Sequence, residues 1–113
     1  MKLLSYDIRS DEQNVCQFSA RIRYRNQEQH ITGSGNGLLS GAVDALRRSY
    51  DMQLDIGDYH EHTLGHQSHS RAVAYLSCQG RLGETRYGVG IDSDVSSASL
   101  QALFNAASGI LPD

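Results

Sequence analysis

Apolar residues alternate with polar ones through much of the chain, which is typical of strands with one packed face and one wet face. The clearest case is residues 18–24, where Phe18, Ala20 and Ile22 share one face while Arg21 and Arg23 share the other. A turn at residues 26–28 is predicted to lead into the next strand. In all, the sequence predicts six strands, at residues 4–8, 18–24, 29–32, 56–64, 72–78 and 85–91.

Two other segments have the three- and four-residue spacing of amphipathic helices. One places Leu39, Val43 and Leu46 on a single face, and the other, preceded by the capping residues Asp92 to Asp94, does the same with Leu100 and neighbouring apolar residues. The predicted fold is therefore α+β, with two repeated βββα units related by a pseudo-twofold axis and an antiparallel sheet in each. The units are expected at about residues 1–53 and 54–113 of one domain.

Residues 33–37, of sequence Gly-Ser-Gly-Asn-Gly, stand where the third strand meets the first helix. The glycines are expected to permit positive φ and close approach, and the helix N–H groups to offer a place for an anion, although an ordinary strand-to-helix turn has the same composition. Gly33 and Gly35 match Gly88 and Gly90 at a spacing of 55 residues, with a two-residue difference in the turn that follows. A ligand between the two turns would be contacted by both halves.

Composition narrows the function classes. The chain has 113 residues and a net charge of -3, so it lacks the basic excess of a nucleic-acid-binding protein. No apolar run approaches the ~18 residues of a membrane span, and no signal peptide is recognisable, so no membrane partner and a cytoplasmic location are expected. Cys16 and Cys78 are expected to be buried free thiols.

Candidate chemistry is sparse. His60 and His62 point the same way on a strand, and His66 and His69 follow, so a metal site competes with an exposed polar strand edge. No serine sits in a nucleophile elbow and no carboxylate pair has a scaffold, so no catalytic residue is predicted. The arginine face of residues 21–25 is interpreted as solvated, with an anionic partner as the alternative.

Five segments together resemble a known family, the C-terminal regulatory domain of 2-isopropylmalate synthase. They are residues 33–37, 58–62, 70–75, 87–91 and 98–102. The resemblance implies a non-catalytic domain of two βββα units that forms a homodimer and binds L-leucine, which inhibits an acyltransferase barrel elsewhere in the enzyme. It implies no cofactor in this domain, since the family's divalent metal belongs to the barrel. The chain is expected to be a fragment of such an enzyme rather than a free-standing protein.

The family's effector pocket, carried over position by position, combines turn N–H groups for a carboxylate with apolar side chains for a branched aliphatic group. For the ammonium group, backbone carbonyls, Asn36 and Asp92 remain alternatives. Hydroxyls at Thr63 and Ser70, where the family commonly has alanine, and Leu38, where it commonly has proline, are departures. The implied effector-binding residues are Gly35, Asn36, Gly37, Leu39, Ile56, Tyr59, Thr63, Ser70, Ala72 and Ile91.

Three other interpretations stay open at this point. The similar regulatory domain of citramalate synthase answers to isoleucine, so the effector is leucine or isoleucine. A histidine-rich metal-binding module is the alternative from a different class. A domain that only dimerises is the third.

Overall fold

A computed structural model of the chain describes residues 1–65 and 70–111. Two antiparallel three-stranded sheets are each followed by one helix, which confirms the predicted α+β class and the βββα order. The chain divides into two compact units, Met1–Leu54 and Asp55–Asp113, called unit 1 and unit 2 below. The elements are β1 (Lys2–Ser10), β2 (Cys16–Tyr24), β3 (Gln27–Gly35), α1 (Leu38–Tyr50), β4 (Asp55–Leu64), β5 (Arg71–Gln79), β6 (Thr85–Asp92) and α2 (Val95–Ser108).

Unit 1 is a sheet of order β1-β2-β3 with α1 packed on one face. Its core is the apolar face of β2, because Phe18, Ala20 and Ile22 are buried against Ala42 and Leu46 of α1 and other core residues. Arg21 and Arg23 on the opposite face of β2 are exposed. The predicted division of this strand into packed and wet faces is confirmed.

The β2–β3 hairpin turns two residues earlier than predicted. Arg25 and Asn26 form the turn with φ of 54° and 63°, and Gln27 already belongs to β3. Two consecutive residues with positive φ match the right-handed twist of the flanking strands, which is why two-residue hairpins favour this conformation. Arg25 therefore leaves the predicted arginine face, and its guanidinium lies 5.2 Å from the centre of the Tyr24 ring.

Unit 2 repeats this plan with a sheet of order β4-β5-β6 and α2 on one face. Central strand β5 is flanked on both sides, so Ala74, Leu76 and Cys78 are almost fully buried. Leu100 and Phe104 of α2 are buried as well, as their helical spacing predicts. In the described part of the chain, neither helix is long and apolar enough to cross a membrane.

Each unit has a register shift at the same place in its first strand. The shift lies between Leu3 and Ser5 in β1 and between Ile56 and Tyr59 in β4. A β-bulge of this kind bends an edge strand and increases its twist. The bulges make Tyr6 and Tyr59 equivalent in the two units, which becomes important below.

Candidate functional site

The glycines of residues 33–37 are arranged differently from the prediction. Gly33 and Gly35 lie inside β3 rather than in a turn, and none of Gly33, Gly35 and Gly37 has a positive φ. Instead they allow close approach. A side-chain carbon at Gly33 would lie 2.6 Å from the carbonyl oxygen of Gly41 and 2.8 Å from the Cα of Ala45, so the group that approaches is the backbone of α1.

Helix α1 begins without a side-chain cap. Its N-cap residue is Gly37, in an extended conformation with φ of -175°, and the first turn contains no acidic residue. Ser40 Oγ accepts a hydrogen bond from the Gly37 N–H at 2.9 Å and lies 2.8 Å from Asn36 Oδ1, to which it donates. The first N–H groups of any α-helix have no carbonyl partner inside the helix, and Gly37 has no side chain to accept from them. The start of α1 therefore has donors and a partial positive charge suited to an anion.

Helix α2 begins in the opposite way. Its N-cap is Asp94, whose Oδ2 accepts from the Ser97 N–H at 3.1 Å and from Ser97 Oγ at 2.9 Å. The predicted capping of this helix is confirmed at Asp94. A carboxylate of the protein thus occupies at α2 the position that is open at α1.

The two connections have the same length, so the predicted two-residue difference between them is wrong. Residues 36–37 join β3 to α1 and residues 93–94 join β6 to α2, which places equivalent residues 57 apart. A side-chain carbon at Gly90 would contact the Ala98 carbonyl oxygen and lie 2.9 Å from the Ala102 nitrogen. Gly33 is therefore equivalent to Gly90, not to Gly88.

A matching pair of hydrogen bonds supports this register. The Ser34 N–H donates to Asp44 Oδ2 of α1 at 2.9 Å, and the Ile91 N–H donates to Gln101 Oε1 of α2 at 3.3 Å. Both partners lie 57 residues further along in unit 2. The earlier match at 55 residues arose because both strands contain a Gly-x-Gly pair, while the packing uses the pairs in different registers.

Four of the implied effector residues are neighbours at the start of α1. Gly35 ends β3, Gly37 caps the helix, and Leu39 lies in its first turn with a partly buried side chain. The Asn36 side chain is exposed and engaged with Ser40. This group combines backbone donors with one aliphatic side chain.

The implied residues of unit 2 divide between the two faces of its sheet. Tyr59 pairs with Leu76, Thr63 with Ala72, and Ile56 with Cys78, all on the face that α2 covers. Ala72 is buried on that face and Thr63 is exposed at its edge, while Ser70 precedes β5 and is partly buried.

Ile91 is placed differently. It pairs with Val73, one position away from Gly90, so its side chain projects from the face opposite α2 and is 47% exposed. Within unit 2, the side chains of Ile91 and Ala72 are therefore on different faces of the sheet.

The two named candidates for binding an ammonium group are both engaged locally. Asp92 accepts from the Asp94 N–H at 3.0 Å and from Gln101 Nε2 at 3.2 Å. Asn36 Oδ1 accepts from Ser40 Oγ. Either oxygen retains a lone pair, but neither is waiting without a partner.

Sequence patterns gave no indication of a hydrogen-bonded group around Tyr59. The Tyr59 hydroxyl donates to Glu61 Oε2 at 2.7 Å and lies 2.5 Å from Ser99 Oγ of α2. Burial raises the pKa of Tyr59, the Ser99 hydrogen bond lowers it, and Glu61 raises it further. The available indication was a serine on the apolar stripe of α2, because a buried hydroxyl needs a partner.

The histidines form no metal site in the described residues. Across residues 1–65 and 70–111, no three His, Cys, Asp or Glu side chains are close enough to hold a metal ion. His62 is stacked on Tyr75, with ring centres 5.3 Å apart. The predicted contributions of His66 and His69 lie outside the described residues.

The thiols and arginines take structural positions. Cys16 and Cys78 are buried free thiols, as predicted, and burial raises the pKa of Cys78 to about 11. Such a thiol is protonated and unreactive near neutral pH. On the wet face of β2, Arg21 pairs with Glu28 at 2.9 Å, which supports the solvated interpretation.

Two surface cavities lie elsewhere. One of about 350 Å³ in unit 1 is lined mainly by polar residues such as Arg9 and Gln17, and one of about 250 Å³ in unit 2 is lined by residues such as His60 and Tyr75. None of the ten implied effector residues lines either cavity. These two cavities therefore do not support the implied effector site.

Comparison with known proteins defines the class of this fold. The family model described as the LeuA allosteric (dimerisation) domain matches residues 1–111, and the chain belongs to that family. The predicted resemblance is confirmed, as is the prediction of a regulatory rather than a catalytic domain.

Similar curated proteins carry one name. A 2-isopropylmalate synthase from Marinomonas sp. (strain MWYL1) is 45% identical over 107 residues, which cover 94% of this chain and 19% of that protein. Those of Thermobifida fusca (strain YX) and Helicobacter hepaticus (strain ATCC 51449 / 3B1) are 36% and 40% identical over 92% and 74% of the chain. In these two proteins the matched region is 18% and 15% of the length. The chain thus spans about a fifth or less of the length of these relatives.

Proposed function

We propose that this chain is the leucine-sensing regulatory domain of a 2-isopropylmalate synthase, that it binds L-leucine, and that binding inhibits the catalytic part of the enzyme. The observation that carries the proposal is the uncapped start of α1 in a member of an allosteric domain family. An allosteric role requires that the effector bind one state of the enzyme more tightly than another.

The α-carboxylate of the effector is assigned to the start of α1. Gly37 has no side chain to compete for the first-turn N–H groups, and the first turn carries no acidic residue to repel an anion. The start of α2 is excluded from this role because the Asp94 carboxylate already accepts there. The duplicated fold therefore has one anion-binding helix start rather than two.

The branched side chain needs an apolar environment. Leu39 offers a partly buried aliphatic group near the carboxylate position, and burying such a side chain contributes about 1.5–3 kcal/mol. The residues of unit 2 proposed to take part in effector binding remain those carried over from the family. They are Ile56, Tyr59, Thr63, Ser70, Ala72 and Ile91.

Calorimetric titration tests the ligand directly. Leucine is expected to release or absorb heat saturably, and valine, with one methylene fewer, is expected to bind about 10-fold or more weakly. L-leucinamide keeps the aliphatic group and the amine but lacks the carboxylate, so it is expected not to bind. Tighter binding of isoleucine than of leucine would assign the citramalate synthase type instead. No heat with any of these amino acids at millimolar concentration would contradict the proposal.

Self-association is a separate expectation from the family's dimerisation role. Light scattering is expected to give twice the 12.4 kDa mass of the chain both with and without leucine. A monomer under both conditions would show that this chain does not dimerise on its own. A dimer that gives no heat with any amino acid would favour a domain that only dimerises.

A further inference from the structure

Three side chains of unit 2 form a continuous chain of hydrogen bonds between α2 and β4. Ser99 Oγ lies 2.5 Å from the Tyr59 hydroxyl, and that hydroxyl donates to Glu61 Oε2 at 2.7 Å. A hydroxyl has a single hydrogen, and an ionised carboxylate can only accept. The direction is therefore fixed, since Ser99 donates to Tyr59 and Tyr59 donates to Glu61.

The burial of Ser99 makes this chain costly to break. Ser99 is 3% exposed, on a helix face otherwise made of alanine, leucine and phenylalanine. A buried hydroxyl without a partner is unfavourable, so the Tyr59 oxygen satisfies a group that has little access to water. Tyr59 is thereby fixed at its far end as well as by its backbone in β4.

The equivalent positions of unit 1 lack both partners. Tyr6 corresponds to Tyr59, since each follows the bulge and pairs with the same position of the central strand. The 57-residue register places Ala42 where Ser99 stands, and strand pairing places Ile8 where Glu61 stands. The fold of a βββα unit therefore requires neither the hydroxyl nor the carboxylate.

We propose that Ser99 and Glu61 are positioning residues of the effector site, which fix the Tyr59 side chain so that it offers its ring rather than its hydroxyl to the effector. This inference depends on the proposed function, which places Tyr59 at that site. The single hydroxyl hydrogen is already donated to Glu61, so Tyr59 has no donor left for a ligand. Its contribution to binding a branched amino acid is then apolar contact from a ring in one fixed orientation.

A double-mutant cycle separates positioning from direct hydrogen bonding. Ser99→Ala and Tyr59→Phe are each expected to weaken leucine binding by about 3- to 10-fold, the usual effect of one hydrogen bond. The double variant is expected to bind as each single variant does, because both changes break the same interaction. Ser108→Ala is the matched control, since Ser108 is on the same helix and donates only to the Phe104 carbonyl. Its leucine affinity is expected to match wild type.

Tyrosine ionisation gives a second measurement that does not need leucine. NMR of ¹³C-labelled tyrosine is expected to show a higher Tyr59 pKa in Ser99→Ala and a lower one in Glu61→Gln, since Ser99 lowers this pKa and Glu61 raises it. General loosening of the structure would instead lower the pKa in both variants, because both would lose the effect of burial.

Several outcomes would overturn the inference. Additive losses in the cycle, or an effect of Tyr59→Phe without one of Ser99→Ala, would show that the Tyr59 hydroxyl contacts the effector directly. Equal Tyr59 pKa values in wild type and both variants would show that the hydrogen-bond chain does not form in solution. If wild-type protein binds no leucine, the proposed function fails, and the ionisation measurement alone decides whether Ser99 and Glu61 hold the hydroxyl.

Discussion

Replacing Gly33 with alanine is expected to lower the free energy of unfolding by about 3 kcal/mol. The new methyl group would lie 2.6 Å from the Gly41 carbonyl oxygen and 2.8 Å from the Ala45 Cα, and it would also contact the Ala45 nitrogen. All of these are backbone atoms of α1, so no side chain can rotate away. The helix must move from the sheet, which loosens the packing of Phe18 and Leu46. Urea denaturation measures the loss.

Two further glycine variants make this test specific. Gly90→Ala is expected to lose a similar amount, since Gly90 occupies the equivalent position against α2. Gly37→Ala is the control, because its nearest non-neighbouring atom is 4.0 Å away and its extended φ suits any residue, so the loss should stay within about 1 kcal/mol. A Gly33→Ala protein as stable as Gly37→Ala would contradict the close helix packing described above.

Gly37→Asp is expected to weaken leucine binding by about 100-fold or more while leaving the fold at least as stable. The substitution gives α1 the N-cap that Asp94 provides for α2, and such caps stabilise a helix by about 1 kcal/mol. The same carboxylate would accept from the first-turn N–H groups and repel the effector's carboxylate. Losing charge-assisted hydrogen bonds worth about 3 kcal/mol corresponds to a loss of this size. Calorimetry and thermal unfolding measure the two effects together.

Gly37→Asn is the matched control, because it supplies a cap of the same shape without the negative charge. It is expected to bind leucine more weakly than wild type but better than Gly37→Asp. Equal affinity in wild type and Gly37→Asp would remove the effector carboxylate from the start of α1. Weakened binding together with a less stable fold would mean that the aspartate disturbs the connection instead of competing for its donors.

The two units use one fold for different purposes at equivalent positions. Unit 1 has an uncapped helix start at Gly37 and an alanine at position 42, whereas unit 2 has the Asp94 cap and the buried Ser99. These differences do not change the strand order or the packing of either helix. Duplication has thus kept the scaffold and changed the polar groups, which is the pattern expected when function is added to a stable fold.

The sequence predicted the scaffold well because local patterns determine it. Alternation in β2 correctly separated Ile22 from Arg21, and helical spacing placed Leu46 and Leu100 in their cores. The errors lie where packing between elements decides. The repeat was matched through Gly88 because a Gly-x-Gly pair is visible in the sequence, whereas the contact with α2 identifies Gly90 as the equivalent of Gly33.

By itself the sequence determined the α+β class, the two βββα units and the family of the chain, because hydrophobic period and motif order survive in one dimension. Only the tertiary structure decided why residues 33–37 are rich in glycine. Gly33 and Gly35 are small because α1 lies against them, and Gly37 leaves the helix start open. Likewise, Ser99 and Glu61 meet at Tyr59 only after α2 packs on the sheet. Contacts between residues distant in sequence depend on packing and register, and no local pattern records them.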